Sequence, residues 1–126
     1  MVQIDLKSSK PLYEQIINDI KEKVIKGYLK AGDELPSTRK LAMELSVTPN
    51  TVAKAYQELE RNKIIETIRG KGTYISNNID KKKIDDEKLE MVKKELSIQM
   101  LEMIYMGMNK DEIIKIIENL YSEIKK

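Results

Sequence analysis

Residues 45–56 read LSVTPNTVAKAY, an apolar run that breaks at Ser46, passes through Thr48-Pro49-Asn50-Thr51 and then resumes helical spacing. Pro49 suits the first position of a helix, where no amide hydrogen is needed. Thr48 ahead of it suits an N-cap whose side chain accepts from an orphan amide. A helix is therefore predicted from Pro49 to about Arg61. Val52, Ala55, Tyr56 and Leu59 recur at i, i+3, i+4 and i+7 on its inner side. The outer side reads Asn50, Lys54, Gln57 and Arg61. The segments on either side show what that polar, cationic face is for.

Upstream, Pro11 opens a helical pattern over about 11–26, with Leu12, Ile16, Ile17, Ile20, Val24 and Ile25 on one stripe and Gly27 as its stop. The turn-rich GYLKAGDELP leaves room for a brief strand near Asp33 to Leu35. Ser37 is an N-cap candidate for a short helix over about 38–45, with Leu41, Ala42 and Leu45 inward and Arg39 and Lys40 outward. Downstream, in KIIETIRGKGTYIS, two β-prone runs flank Arg69-Gly70-Lys71-Gly72, a composition for a two-stranded hairpin whose tip needs positive φ.

Helix, turn, helix and hairpin in that order make a winged helix-turn-helix, in which the second helix enters the major groove with its N-terminal residues toward base edges. Asn50 has the paired donor and acceptor that adenine requires, Thr51 reaches a base or phosphate, and Lys54 one turn later reaches phosphate or guanine. The plain alternative is a solvated helix face with Thr48 to Thr51 as cap alone. The wing immediately downstream argues against it.

Charge agrees in distribution rather than in total. The chain carries 23 basic and 21 acidic residues, net +2. Arg39, Lys40 and Lys54 face only Glu44 within 38–57, and Arg61, Lys63, Arg69 and Lys71 follow with Glu66. Cations gather locally, as a binding face needs. Cysteine and histidine are both absent, which excludes disulfides, thiolate and imidazole metal sites, and Cys-His or Ser-His-Asp catalysis. No nucleophile, base and orienter can be assembled, so an enzyme is not expected, nor a cofactor or metal. Lys71 after Gly70 is not a phosphate loop, because Ile65 and Gly72 stand where that pattern needs glycine and a hydroxyl residue. The amino terminus has no apolar leader and no run is long enough to span a membrane. A cytoplasmic protein is expected.

From Asn77 to Lys83 the sequence turns polar and charged without periodicity, which marks a linker. The remainder predicts two helices joined at Gly107. Leu89, Val92, Leu96, Met103 and Met106 follow helical spacing in the first. Asp85, Asp86 and Glu87 are charges of its first turn. Asn109 with Glu112 resembles a capping box that introduces Ile113, Ile114, Ile116, Ile117, Leu120, Tyr121 and Ile124. That stripe is too wide for a hairpin of this length to cover by itself. Five of the seven methionines, at 91, 100, 103, 106 and 108, also lie in the tail, as filler for an irregular core or an adaptable pocket. A homodimer interface built on Leu96, Met103, Ile113, Ile117, Leu120, Tyr121 and Ile124 is expected.

The runs PLYEQI, IKGYLKAGDELPSTRKLA, VTPNTVAKAYQELE and IRGKGTYI, in that order over about residues 9–76, resemble the winged helix-turn-helix domain of the GntR transcription regulators. The short helical tail is similar to that of the YtrA subfamily. The resemblance implies a mainly α fold with a small β-wing, a DNA-binding domain at 1–76 and a two-helix dimerisation tail at 79–126. It implies a repressor of a nearby transporter-type operon that binds an inverted-repeat operator in double-stranded DNA as a homodimer. A protein-interaction module without specific DNA binding is the alternative. By the same resemblance Arg39, with Ser37 as a compatible phosphate contact, sits at the groove edge. Thr48, Asn50 and Thr51 start the recognition helix, and Arg69, Gly70 and Lys71 reach the adjacent minor groove. Pro49 and Ala53 stand where many members have arginine, so base preference should differ from theirs. Ser46 stands where glycine is usual. No effector is identifiable from the sequence.

Overall fold

The structure, a computed structural model, describes residues 2–77 and 84–126. These form two compact units, one on either side of residues 78–83. Most of the polar linker expected at 77–83 therefore lies outside the described residues. Three helices and three strands make up the first unit: α1 (Leu12–Ile25), β1 (Glu34–Leu35), α2 (Thr38–Leu45), α3 (Pro49–Arg61), β2 (Ile65–Ile68) and β3 (Gly72–Ile75). The second unit consists of α4 (Asp86–Tyr105) and α5 (Lys110–Lys125). The fold is mainly α with a small β-wing, as the spacing predicts.

In the first unit α1 and α2 both pack on α3, and the wing packs on α3 through β2. Ile16 and Ile20 of α1, Leu41 of α2, Val52 and Leu59 of α3, Ile65 of β2 and Ile75 of β3 meet in one core with essentially no exposure. Burying a side chain of this kind stabilises by roughly 1.5–3 kcal/mol relative to leaving it in water. Val2 joins that core from the amino-terminal arm. Gln15 holds the arm down, its Oε1 accepting from the Asp5 amide at 2.6 Å and its Nε2 donating to the carbonyls of Asp5 and Lys10 at 3.0 Å. Nothing in the local spacing marks Gln15 for that task.

The wing differs from the two-stranded expectation. The brief strand near residue 34 does not stand apart but pairs antiparallel with β3, giving a three-stranded sheet of order β1-β3-β2. Glu34 lies opposite Tyr74 and Leu35 opposite Thr73, while Ile65 to Ile68 run opposite Ile75 to Gly72. The Gly32 amide donates to the Ile75 carbonyl at 2.9 Å, and the Ile75 amide to the Asp33 carbonyl at 2.8 Å. These bonds satisfy the backbone groups that a two-stranded hairpin would leave open along β3.

In the second unit the helix ends are well specified. Asp85 is the N-cap of α4, accepting from the amides of Glu87 and Lys88, with Asp86 and Glu87 in the first turn. Gly107 has φ +93°, the conformation that ends α4 and that a side chain would strain. Asn109 and Glu112 form the full capping box of α5, with both bonds at 2.9 Å. The helix faces, by contrast, are left open. No residue of α4 is buried and Ile113 alone is buried in α5. The two helices make little contact along their lengths.

Candidate nucleic-acid interface

The Ser37 hydroxyl accepts from the Lys40 amide at 3.1 Å and so caps α2, which buries Leu41 and Ala42 and leaves Arg39 and Lys40 exposed. The helix ends at Ser46, whose φ of +57° and ψ of +43° are left-handed, and the next amide, of Val47, returns to the Ala42 carbonyl at 3.0 Å. This reversal turns the chain sharply enough for α3 to cross α2. A serine in that conformation costs on the order of 1 kcal/mol, because its Cβ crowds the following carbonyl.

Thr48 is the N-cap of α3 by backbone geometry, but its side chain makes no capping bond. The expected role of that hydroxyl is corrected by the structure. The Thr51 amide donates to the Thr48 carbonyl at 3.1 Å, and Pro49 has no amide hydrogen, so the hydroxyl turns instead to that of Thr51, 3.0 Å away. Val52, Ala55, Tyr56 and Leu59 are buried, whereas Asn50, Lys54, Gln57 and Arg61 are exposed and Thr51 is half-buried. The groove-facing side of α3 is thus polar from its first turn to its last.

Two of its cations are held in different ways. Arg61 is tied to Glu58 at 2.7 Å. The Lys54 ammonium sits 3.9 Å above the centre of the Tyr13 ring of α1. Leu12 and Tyr13 join Asn50, Thr51 and Lys54 in one shallow recess at the start of α3. Tyr56 locks α3 from behind, its buried hydroxyl donating to the Pro36 carbonyl at 2.7 Å. Burial, aided by the charge of Glu44, raises the Tyr56 phenol well above its ordinary range.

At the wing tip the Lys71 amide donates to the Ile68 carbonyl at 2.9 Å, with Gly70 at φ +80° in the third position. That is the pattern of a type II turn, which requires a positive φ there. Arg69, Gly70 and Lys71 are all exposed. Between wing and α3 lies an open cleft of about 500 Å³, lined on the helix by Ala53, Gln57 and Glu60 and on the wing by Thr67, Lys71, Gly72 and Thr73. Ser37 and Thr38 at the start of α2 close its end. Ser37 and Lys71 therefore share a cleft, whereas Asn50, Thr51 and Lys54 group around the recess by Tyr13. Sequence reasoning passed over Tyr13, Thr67 and Thr73. Only the small Ala53, four residues ahead of Gln57, signals from the sequence that α3 leaves room beside the wing.

Of the residues expected in the tail interface, Ile113 is already covered within the single chain at 5% exposure and Met103 is half-buried. Leu96, Ile117, Leu120, Tyr121 and Ile124 are exposed, Tyr121 by 66%. Met91, Ile98, Leu101 and Tyr105 of α4 are exposed as well. Among the described residues no helix is long and apolar enough to cross a membrane.

Comparison with known proteins places this architecture. Residues 12–75 match the family of bacterial regulatory proteins, gntR family. The HTH-type transcriptional repressor YtrA of Bacillus subtilis is 46% identical over 99% of this chain and 95% of its own length. A crystal structure described as a transcriptional antiterminator from Listeria monocytogenes is 43% identical and superposes with a TM-score of 0.90, covering 100% of this chain and 93% of that one. YtrA from Sulfolobus acidocaldarius, a GntR-family transcription factor, is 33% identical with a TM-score of 0.61, over 77% of this chain and 97% of that one. With its helix-turn-helix and wing intact, the chain belongs to the gntR family and is a DNA-binding transcription regulator.

Proposed function

We propose that this regulator is a repressor that binds an inverted-repeat operator as a homodimer, with residues 1–76 reading DNA and residues 79–126 pairing the two copies. The observation that carries this reading is the exposed side of α3, with Asn50, Lys54 and Gln57, standing beside a wing whose exposed tip carries Arg69 and Lys71. Asn50 reads adenine through paired hydrogen bonds, and Thr51 and Thr48 contact the adjoining backbone. Arg39 and Ser37 bind phosphate at the groove edge. Arg69 enters the minor groove beside each half-site, where a narrow A·T-rich groove deepens the negative potential, while Gly70 lets the tip approach and Lys71 binds phosphate.

Repression is supported by the printed role of the Bacillus relative, and a transporter-type operon as target by the subfamily resemblance. The homodimer is supported by the apolar side chains of α4 and α5 that the single chain leaves in water. Working on the chromosome, such a protein acts in the cytoplasm, and its chemistry calls for no cofactor.

The deciding experiment is to isolate bound genomic fragments, footprint one, and titrate it against salt. Log affinity should fall linearly with log salt, at about −0.9 per phosphate contact. A flat response with weak binding would indicate a protein-interaction module instead. Asn50→Ala should cost about 1–3 kcal/mol and relax preference at one base pair per half-site, whereas Lys54→Ala should weaken all sequences evenly. Arg69→Ala should abolish any preference for A·T flanks.

A further inference from the structure

Lys54 is the one cation on the outer side of α3 whose charge is held in place without being neutralised. Arg61, on the same side, has its charge paired with the carboxylate of Glu58. Among the described residues no carboxylate lies within ion-pair distance of Lys54, and its ammonium rests on the face of Tyr13, 3.9 Å from the ring centre. An aromatic face attracts a cation through its quadrupole yet carries no net charge, so it fixes the position of the ammonium and leaves its full positive charge available.

Lysine otherwise brings a flexible four-carbon stem whose freedom must be lost on binding. Tyr13 itself is anchored, half-buried against the core from the first turn of α1. The recess that Leu12 and Tyr13 form with Asn50, Thr51 and Lys54 is open on its outer side. One side of the ammonium meets the ring, and its remaining N–H groups are free to donate into that opening.

The geometry points to Tyr13 as a positioning residue for DNA binding: its ring holds the Lys54 ammonium at the start of the recognition helix, so that a backbone phosphate closes onto a cation already in place. The inference rests on the DNA-binding reading above and deepens it. α1 thereby takes part in recognition without itself touching a base.

The test is a set of full-length variants measured on one operator duplex, with thermal melting as the check on folding. Tyr13→Phe keeps the ring and should bind as the parent does. Tyr13→Leu should lose about two- to five-fold, the equivalent of an exposed cation–π contact. In a Lys54→Ala background the same change should have no further effect. Phenylalanine carrying increasing numbers of ring fluorines at position 13 should weaken binding stepwise, because fluorine drains the negative face without removing packing. That series should be flat when Lys54 is replaced. Additive losses from Tyr13→Leu and Lys54→Ala, or indifference to fluorination in the parent, would overturn the inference while leaving DNA binding intact. Absence of duplex binding by the unaltered chain would overturn both.

Discussion

The winged unit and the tail have comparable helix-forming sequences and equally well-defined caps, but they differ in what lies between their elements. In the first, three helices and a sheet converge on Ile16, Ile20, Leu41, Val52, Leu59, Ile65 and Ile75, all sealed from water. In the second, twenty residues of α4 bury nothing and α5 buries Ile113 alone. Caps and propensity specify where a helix starts and stops, whereas packing supplies most of its stability. One unit completes its core within a single chain and the other does not. A partner surface made from a second copy of the tail resolves the difference.

The comparison is put at risk first by core substitutions. Ile20→Ala should lower the stability of the winged unit by about 2–5 kcal/mol at any protein concentration, through lost burial and the cavity left behind. Ile117→Ala should instead lower the melting temperature of the tail in a concentration-dependent manner, because there the lost contact is between chains. Melting curves across a hundred-fold dilution separate the two. A concentration-independent response to Ile117→Ala would mean that the tail folds alone.

Shortening the chain to residues 1–78 should leave a folded monomer in sedimentation. It should also remove roughly 10² or more of affinity for paired half-sites, since the second contact would no longer be intramolecular. A dimer of undiminished affinity would move the interface into the winged unit.

Alkaline titration should reveal Tyr56. Its phenol ionises near 10 in the unfolded chain but is held neutral in the fold by burial and by Glu44. Above that pH the unfolded state binds fewer protons than the native one, so stability falls. The contribution is complete below about pH 10 and declines by up to roughly 1.4 kcal/mol per pH unit as pH rises further. Tyr56→Phe should flatten this part of the profile for the winged unit and lose about 0.5–1.5 kcal/mol at neutral pH with the bond to Pro36. An unchanged alkaline slope would count against the assignment.

The smallest effect is at the turn. Ser46→Gly should raise the stability of the winged unit by up to about 1 kcal/mol, because glycine adopts φ +57° without its side chain crowding the backbone. Lower stability on chemical denaturation would show that the serine hydroxyl matters more than its conformation.

The parts of this structure that were legible in the sequence are those governed by short-range chemistry. Ser37, Pro49 and the Asn109–Glu112 pair mark helix starts, Gly27 and Gly107 mark stops, and the periodicity of Val52, Ala55, Tyr56 and Leu59 orients α3. What escaped is set at long range. The pairing of β1 with β3 has only two residues of local signal. The contacts of Gln15 with the arm and of Lys54 with Tyr13 join residues that no periodicity links. Lys63, left-handed at φ +61° just past α3, lacks the glycine that would announce it. In the tail the 3-4 stripe was visible, but Met91, Ile98, Leu101 and Tyr105 fall off it, so α4 is apolar on more than one side.

The antiparallel pairing of Glu34 and Leu35 with Tyr74 and Thr73 has a kinetic consequence. That pair of bonded segments encloses α2, the turn, α3 and β2 within one loop, so the sheet cannot be completed until all of them have been gathered in. Loop-closure entropy makes such a contact late, whereas the α2–α3 crossing and the β2–β3 hairpin are local and inexpensive to form. The natural order of folding is the helix pair and the hairpin first, with β1 closing over the wing as the last clasp. A nascent chain still on the ribosome therefore acquires its recognition helix before its wing is fixed, and becomes a complete reader of DNA only when residues well beyond α3 have emerged.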